Sequence, residues 1–192
     1  MLKIAVTGNI ASGKSAVENI LKEMKYPFLD TDIVAHKILE KNNQVIEAFA
    51  KFDILNENGT ISREKLGKIV FNNKEFLTKL ENIIHPLVKE EIIEFFDKNK
   101  QEDFVFVGIP QLFESNMQDL FDKIILVYCD DEVRLERLIK RNNYTIEYAK
   151  TRLNAQISQD KKKTLCDFIL NNNGSIEELK NKTDKLLNEL NS

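Results

Sequence analysis

Eight residues near the start of the chain, Gly8-Asn9-Ile10-Ala11-Ser12-Gly13-Lys14-Ser15, fit the spacing G-x-x-x-x-G-K-[ST]. Glycines in such a stretch let the backbone turn its N–H groups inward as an anion nest, at the positive end of the helix that follows. Lys14 offers a point charge to β- and γ-phosphates, and the Ser15 hydroxyl a ligand for Mg2+. The motif stands between a short apolar run, Leu2–Thr7, and a helix-like segment from Lys14, which is the context it requires. A nucleoside triphosphate and Mg2+ are therefore expected. Asn9 is the loop residue expected to take a positive φ, which Asn tolerates better than most.

Three uses of a triphosphate compete: transfer to a small molecule, a GTPase switch, and an ATPase motor. Asn181-Lys182-Thr183-Asp184 spells a guanine-reading motif, but it lies inside an amphipathic helix with no strand before it. No D-x-x-G occurs in the sequence. The apolar run Phe104–Ile109 ends in Gly108-Ile109-Pro110, without the acid that a motor places there.

Transfer gains from Asp30-Thr31-Asp32, at the end of a second short run, because ligands gather at the carboxyl ends of parallel strands. A carboxylate there could accept a hydroxyl proton or hold Mg2+. One of the two acids could be an N-cap. Asp32 is the expected acceptor-facing group, with Asp30 in support. Arg134, Arg137 and Arg141 share one helix face, and a transferring phosphoryl group needs such cationic clamps. Arg134 is expected to pair with Glu132 and Glu136 on a solvated face, and Arg141 to serve a lid. Lys161–Lys163 reads as an exposed charge run. His85, before Pro86, fits a buried histidine and a substrate contact equally.

These residues need a scaffold of strands alternating with helices. Strands are expected at Leu2–Thr7, Pro27–Asp30, Asp103–Ile109, Lys123–Cys129 and Phe168–Leu170. Helices are expected at Lys14–Lys25, Ile33–Glu40, Gln44–Phe52, Arg63–Phe71, Glu75–Lys100, Glu132–Arg141, Thr145–Gln156 and Ser175–Leu190. Pro86 should start a new helix or kink the long one. Ser62 and Thr145 are expected N-caps. The alternation predicts a three-layer α/β/α fold on a parallel five-stranded sheet.

The 192 residues, with 28 Lys and Arg against 31 Asp and Glu, carry a formal charge of −3. That balance argues against a coat for nucleic acid or for anionic membrane. No run nears the roughly 20 apolar residues that span a bilayer, and the apolar opening is too short for a signal-peptide core. Cys129 and Cys166 read as reduced thiols of a cytoplasmic protein. Two histidines without ligand spacing argue against a protein-built metal centre. A monomer or weak homo-oligomer with a small-molecule substrate is expected.

Taken together, the residues resemble the dephospho-CoA kinase family. The likeness runs through the loop GNIASGKS, Asp30-Thr31-Asp32 with His36, His85-Pro86, and Pro110-Gln111-Leu112-Phe113-Glu114. It continues through Arg134 to Arg141, Arg152 with Gln156, and Asp167 to Gly174. The resemblance implies ATP-dependent transfer to the ribose 3′-hydroxyl of dephospho-CoA, giving CoA and ADP. On it, Ala11, Ser12, Gly13, Lys14, Ser15 and Ala16 contact the phosphates, with Arg137 and Asn172 also on the ATP side. Asp32 matches the catalytic acid and Arg141 the lid arginine. His36, His85, Glu114 and Asp30 fall on the acceptor side. It also implies a nucleotide-binding core over 1–54, 101–135 and 164–192, a helical CoA-binding part over 55–100 and a lid over 136–163. The sequence departs from the family at Asn9 and Ala11, where glycines are usual, at Ala16, where Thr is usual, and at Gln111 and Cys166.

Overall fold

Runs that are apolar on both sides belong in the middle of a parallel sheet covered on both faces, and three such runs lie there. In the computed structural model, which describes residues 1–190, the strands are β1 (Leu2–Thr7), β2 (Phe28–Asp30), β3 (Phe104–Gly108), β4 (Lys123–Tyr128) and β5 (Phe168–Asn171). Their order across the sheet is β2-β3-β1-β4-β5. β1 pairs in parallel with β3 and β4, and β4 with β5. The register sets Val6 beside Gly108, Thr7 beside Leu126 and Tyr128 beside Asn171. Four carboxyl ends therefore finish together.

Alternation along the strands sends Ile4, Val6, Phe104, Phe106, Ile125 and Val127 into one apolar cluster. Helices α1 (Lys14–Glu23) and α9 (Ile176–Leu190) complete it with Val17, Ile20, Leu21, Leu179, Leu186 and Leu187. Tyr26 seals one edge, its ring edge-on to Phe104 and Phe106. After β4 come α6 (Asp131–Asn142), α7 (Ile146–Asn154, capped by Thr145) and α8 (Gln159–Lys163). The last of these was not foreseen.

The chain groups into two compact units, residues 1–29 with 99 onward, and residues 30–98. The second takes in residues 30–54 together with the helical stretch that follows them. It holds α2 (Thr31–Glu40), α3 (Asn43–Ala48), α4 (Arg63–Val70) and α5 (Lys74–Lys98). Between α3 and α4 the chain doubles back. Leu55 and Ile61 bridge antiparallel across a turn in which Gly59 takes φ 78°. Ser62 caps α4 by accepting from Lys65 N–H, as its type predicts.

Pro86 does not divide α5, which is one helix of 25 residues with the proline inside it. A proline within a helix costs about 3 kcal/mol through a lost hydrogen bond and ring crowding. Here Ile84, Val88, Ile92 and Phe96 recur every four residues and are buried. Burying four such side chains, at about 1.5–3 kcal/mol each, outweighs that cost.

Candidate active site

The loop Gly8–Ser15 leaves the end of β1 and enters α1. A Cβ on Gly8 would stand 2.5 Å from Ser12 Oγ and 2.9 Å from the Val127 carbonyl, so only glycine fits between the loop and β4. Gly13 takes φ 99°, and a Cβ there would run into the Asn172 amide. The left-handed turn expected of Asn9 falls instead on Ala11, at φ 63°. Asn9 is occupied otherwise. Its amide nitrogen donates to the Ile157 carbonyl at 2.8 Å, which fixes its side chain away from the turn.

Helix α1 begins without a side-chain cap, and its first turn carries no acid. The first amides of a helix lack internal partners, so this end keeps its full positive potential for an anion. Lys14 extends over the end of β3, where a Cβ on Gly108 would lie 2.9 Å from Lys14 Nζ. The absence of an acid at that strand end thus has a steric counterpart: Gly108 makes room for the lysine.

Buried and half-buried polar side chains hold the loop from outside. Asn172, 5% exposed at the end of β5, donates to the Ser12 carbonyl at 2.8 Å. Arg137 in turn donates to the Asn172 carbonyl at 3.0 Å and to Cys129 Sγ at 3.4 Å. Arg134 Nε donates to the Ile10 carbonyl at 3.0 Å, while its Nη1 meets Asp131 at 2.7 Å. Gln156 Oε1 accepts from Ile10 N–H at 2.7 Å. Asn9 Oδ1, Ser12 Oγ and Arg134 Nη2 are buried with no protein partner.

Two expectations are corrected here. Arg134 is not on a solvated face: it is 2% exposed and bonded to the loop. Helix periodicity correctly puts it beside Arg137, but only the packing of α6 on the loop decides which way that face looks. Lys162 is not part of an exposed run. It is wholly buried, 3.1 Å from Glu114 and 3.2 Å from the Pro110 carbonyl. The Thr7 hydroxyl donates to the same carbonyl. Gln159, also buried, reads both backbone groups of Cys129. No sequence signal marked Lys162 or Gln159, because a five-residue helix has too few turns to show a face.

The remaining candidates fall as follows. Glu114 is tied to Lys162, its side chain 25% exposed. Arg141 is exposed at the end of α6, with Nε on Asn142 Oδ1 at 2.9 Å. In the other unit Asp30 is the N-cap of α2, accepting from Asp32 N–H at 2.9 Å. Capping thus accounts for Asp30 and not for Asp32, which lies exposed in the first turn. His36 is exposed on α2 and His85 half-buried on α5. Burial pushes both thiols upward, Cys166 to about 11.

Among the described residues no group of three or more His, Cys, Asp or Glu is placed to hold a metal. A Mg2+ carried on a nucleotide needs only one or two protein ligands, the rest of its shell being phosphate oxygens and water. Ser15, exposed at the start of α1, offers a hydroxyl of the kind such an ion takes.

A phosphate loop on a parallel sheet, with Lys14 over the end of β3, defines a P-loop kinase fold. The family model for "Dephospho-CoA kinase" matches residues 2–178. A dephospho-CoA kinase of Listeria monocytogenes is 41% identical over 179 residues, covering 91% of this chain and 90% of its own. One from Oceanobacillus iheyensis is 39% identical, covering 99% and 98%. The solved dephospho-CoA kinase of Campylobacter jejuni superposes with a TM-score of 0.77 at 34% identity, covering 98% and 96%. The chain belongs to the dephospho-CoA kinase family.

Proposed function

We propose that this protein transfers the γ-phosphoryl group of ATP to the ribose 3′-hydroxyl of dephospho-CoA, giving CoA and ADP. The observation that carries the reading is the uncapped start of α1, with Lys14 over Gly108, in a chain of this family. Lys14 and the loop amides would hold the β- and γ-phosphates through N–H and ammonium donors fixed before the substrate arrives. Ser15 would hold Mg2+. Bound there, the ion would neutralise charge between the β- and γ-phosphates.

The new bond joins the 3′-oxygen to the γ-phosphorus, and the bond from that phosphorus to the β,γ-bridging oxygen breaks. Asp32, the acid that capping leaves unexplained, is assigned to orient the hydroxyl and take its proton. Arg141 is assigned to the oxygens of the transferring group. Arg137 and Asn172 act on ATP through the loop they brace. Of residues 136–163, Gln159 and Lys162 are anchored in the core, so the lid is assigned to the shorter stretch around α7. His36 and His85 are assigned to the acceptor, as is the helical part. The setting is a reduced cytoplasm, in keeping with two free thiols.

The test is acceptor-dependent ADP release with ATP and Mg2+. Release should follow dephospho-CoA and not shikimate or a nucleoside monophosphate; the reverse order would assign the chain another acceptor. Asp32→Asn should lower kcat by about 10²-fold or more with nucleotide affinity kept. An unchanged kcat would remove Asp32 from the reaction.

A further inference from the structure

Both backbone polar groups of Ile10, inside the phosphate loop, are held by side chains from the far half of the chain. Its N–H donates to Gln156 Oε1 at 2.7 Å, and its carbonyl accepts from Arg134 Nε at 3.0 Å. Beside it, the Asn9 amide donates to the Ile157 carbonyl at 2.8 Å. Asp131 Oδ1 closes the ring, accepting from Arg134 Nη1 at 2.7 Å and from Gln159 Nε2 at 2.9 Å. The chain between these anchors, residues 135–155, therefore leaves the loop at Arg134 and returns to it at Gln156. It carries Arg141 and the whole of α7.

Within that excursion α7 has little of its own to fix it. Only Ala149 of its nine residues is buried. A helix that buries so little opens at low free energy, so its place is set by where its ends are tied. Its last turn, Leu153 and Asn154, lines a cleft of about 200 Å³ together with Asn9, Arg134, Gln156 and Gln159. Close packing resists displacement, and the cleft leaves the end of α7 room to shift. The bonds to Asn9 and Ile10 are what limit it. At the loop, the Ile10 carbonyl and the Ala11 N–H belong to one planar peptide. An anion taken by that N–H would fix the plane, and with it the atoms on which the excursion stands. We propose that Asn9 and Gln156 are positioning residues that tie α7 to the phosphate loop, so that a triphosphate ordering the loop also orders the lid. The inference rests on transfer from ATP and on the stretch around α7 being the lid. Neither residue is assigned to the reacting atoms; their effect on turnover runs through Arg141, on the helix against which α7 packs.

The experiment takes the full chain as parent, Asn9→Ala, Gln156→Met and the double variant. It measures hydrogen–deuterium exchange with and without a non-hydrolysable ATP analogue, the Kd of that analogue, and steady-state turnover. In the parent, α7 amides should exchange about fivefold or more slowly once the analogue binds, within the range of coupling between linked sites. In the double variant that protection should be lost and kcat should fall about tenfold or more, the scale of a misplaced catalytic group. Kd for the analogue should stay within about twofold. Asn9→Ala also removes a buried acceptor that has no partner, Asn9 Oδ1, so it keeps the fold and carries the test alone should Gln156→Met unfold. Alone, it should lower both α7 protection and kcat part of the way. Protection in the variants equal to the parent's would overturn the proposal, as would its absence in the parent. An unchanged kcat would overturn it too, as would a loss of kcat matched by an equal loss of analogue affinity, which a loosened loop produces. The exchange measurement uses no acceptor. A parent that shows the protection but no turnover with dephospho-CoA would therefore overturn the functional reading and leave the tie standing.

Discussion

The phosphate loop is braced by side chains that are almost wholly buried, whereas a cleft beside α2, on the helical unit, is lined mostly by side chains that stand in solvent. Asn9, Arg134 and Asn172 are each more than nine-tenths buried and bond to backbone. Lys37, Arg63 and His36 are exposed. The two arrangements suit different tasks. Charge redistributes on a transferring phosphoryl group, and fixed donors stabilise it without reorganising. Long side chains standing in solvent keep their rotamer freedom and give it up only to a bound partner.

Lys14→Ala breaks the first region most directly. Triphosphate affinity should fall and turnover should drop by about 10²-fold or more, the scale of removing one electrostatic donor. Retention of both in steady-state assays would undo the loop assignment.

The Lys162–Glu114 pair gives the next largest effect, read in stability. Glu114→Ala strands a buried ammonium, and loss of one partner from a buried pair costs about 3–5 kcal/mol. Lys162→Met leaves a carboxylate that is one-quarter exposed and hydrated, so it should cost less, about 1–3 kcal/mol. Equal losses in urea unfolding at neutral pH would contradict the asymmetry.

Arg134 and Arg141 share α6 and should separate cleanly. Arg134→Gln should lose about 1–3 kcal/mol of stability and raise the KM for ATP, since it removes a charged donor from Ile10. Arg141→Gln should leave the melting temperature unchanged and lower kcat. A kcat effect confined to Arg134 would reverse the two roles.

These pairs also mark what the sequence could tell. The loop was legible because glycine, lysine and serine at fixed spacing have few other uses between a strand and a helix. The sheet was legible from runs such as FVFVG. Arg134 and Lys162 were misread for one reason: the direction a charged side chain takes depends on residues far along the chain, here Ile10 for one and Glu114 for the other. Of the two effects expected of Pro86, a new helix or a kink, the new helix did not form, because a local rule met four buried residues at helical spacing. The positive φ was misplaced by two residues, from Asn9 to Ala11, because propensity ranks residue types and not the bonds that pin them.

Ala11 sharpens that last point with a smaller effect. Ala11→Gly relieves about 1–2 kcal/mol of left-handed strain and adds up to about 1 kcal/mol of unfolded-state entropy. Stability should therefore rise by no more than about 2 kcal/mol, while the β-branched Ala11→Val should lose stability. A large gain from glycine would show that the loop carries more strain than one residue.

At neutral pH the smallest effect is in the thiols. Burial holds the Cys166 thiol at about 11 against an ordinary 9.0. The unfolded chain then ionises first, so this contribution to stability is complete below about 9 and fades as pH rises through about 11. Cys166→Ala should flatten the stability profile over that window, and a profile with unchanged slope would count against the buried thiol.

The central claim is tested most directly by identifying the product. Purified protein with ATP, Mg2+ and dephospho-CoA should yield CoA and ADP in equal amounts, the new phosphate appearing by phosphorus NMR as a 3′-monoester of the ribose. ADP formed without that monoester, or a phosphate placed elsewhere on the acceptor, would contradict the account.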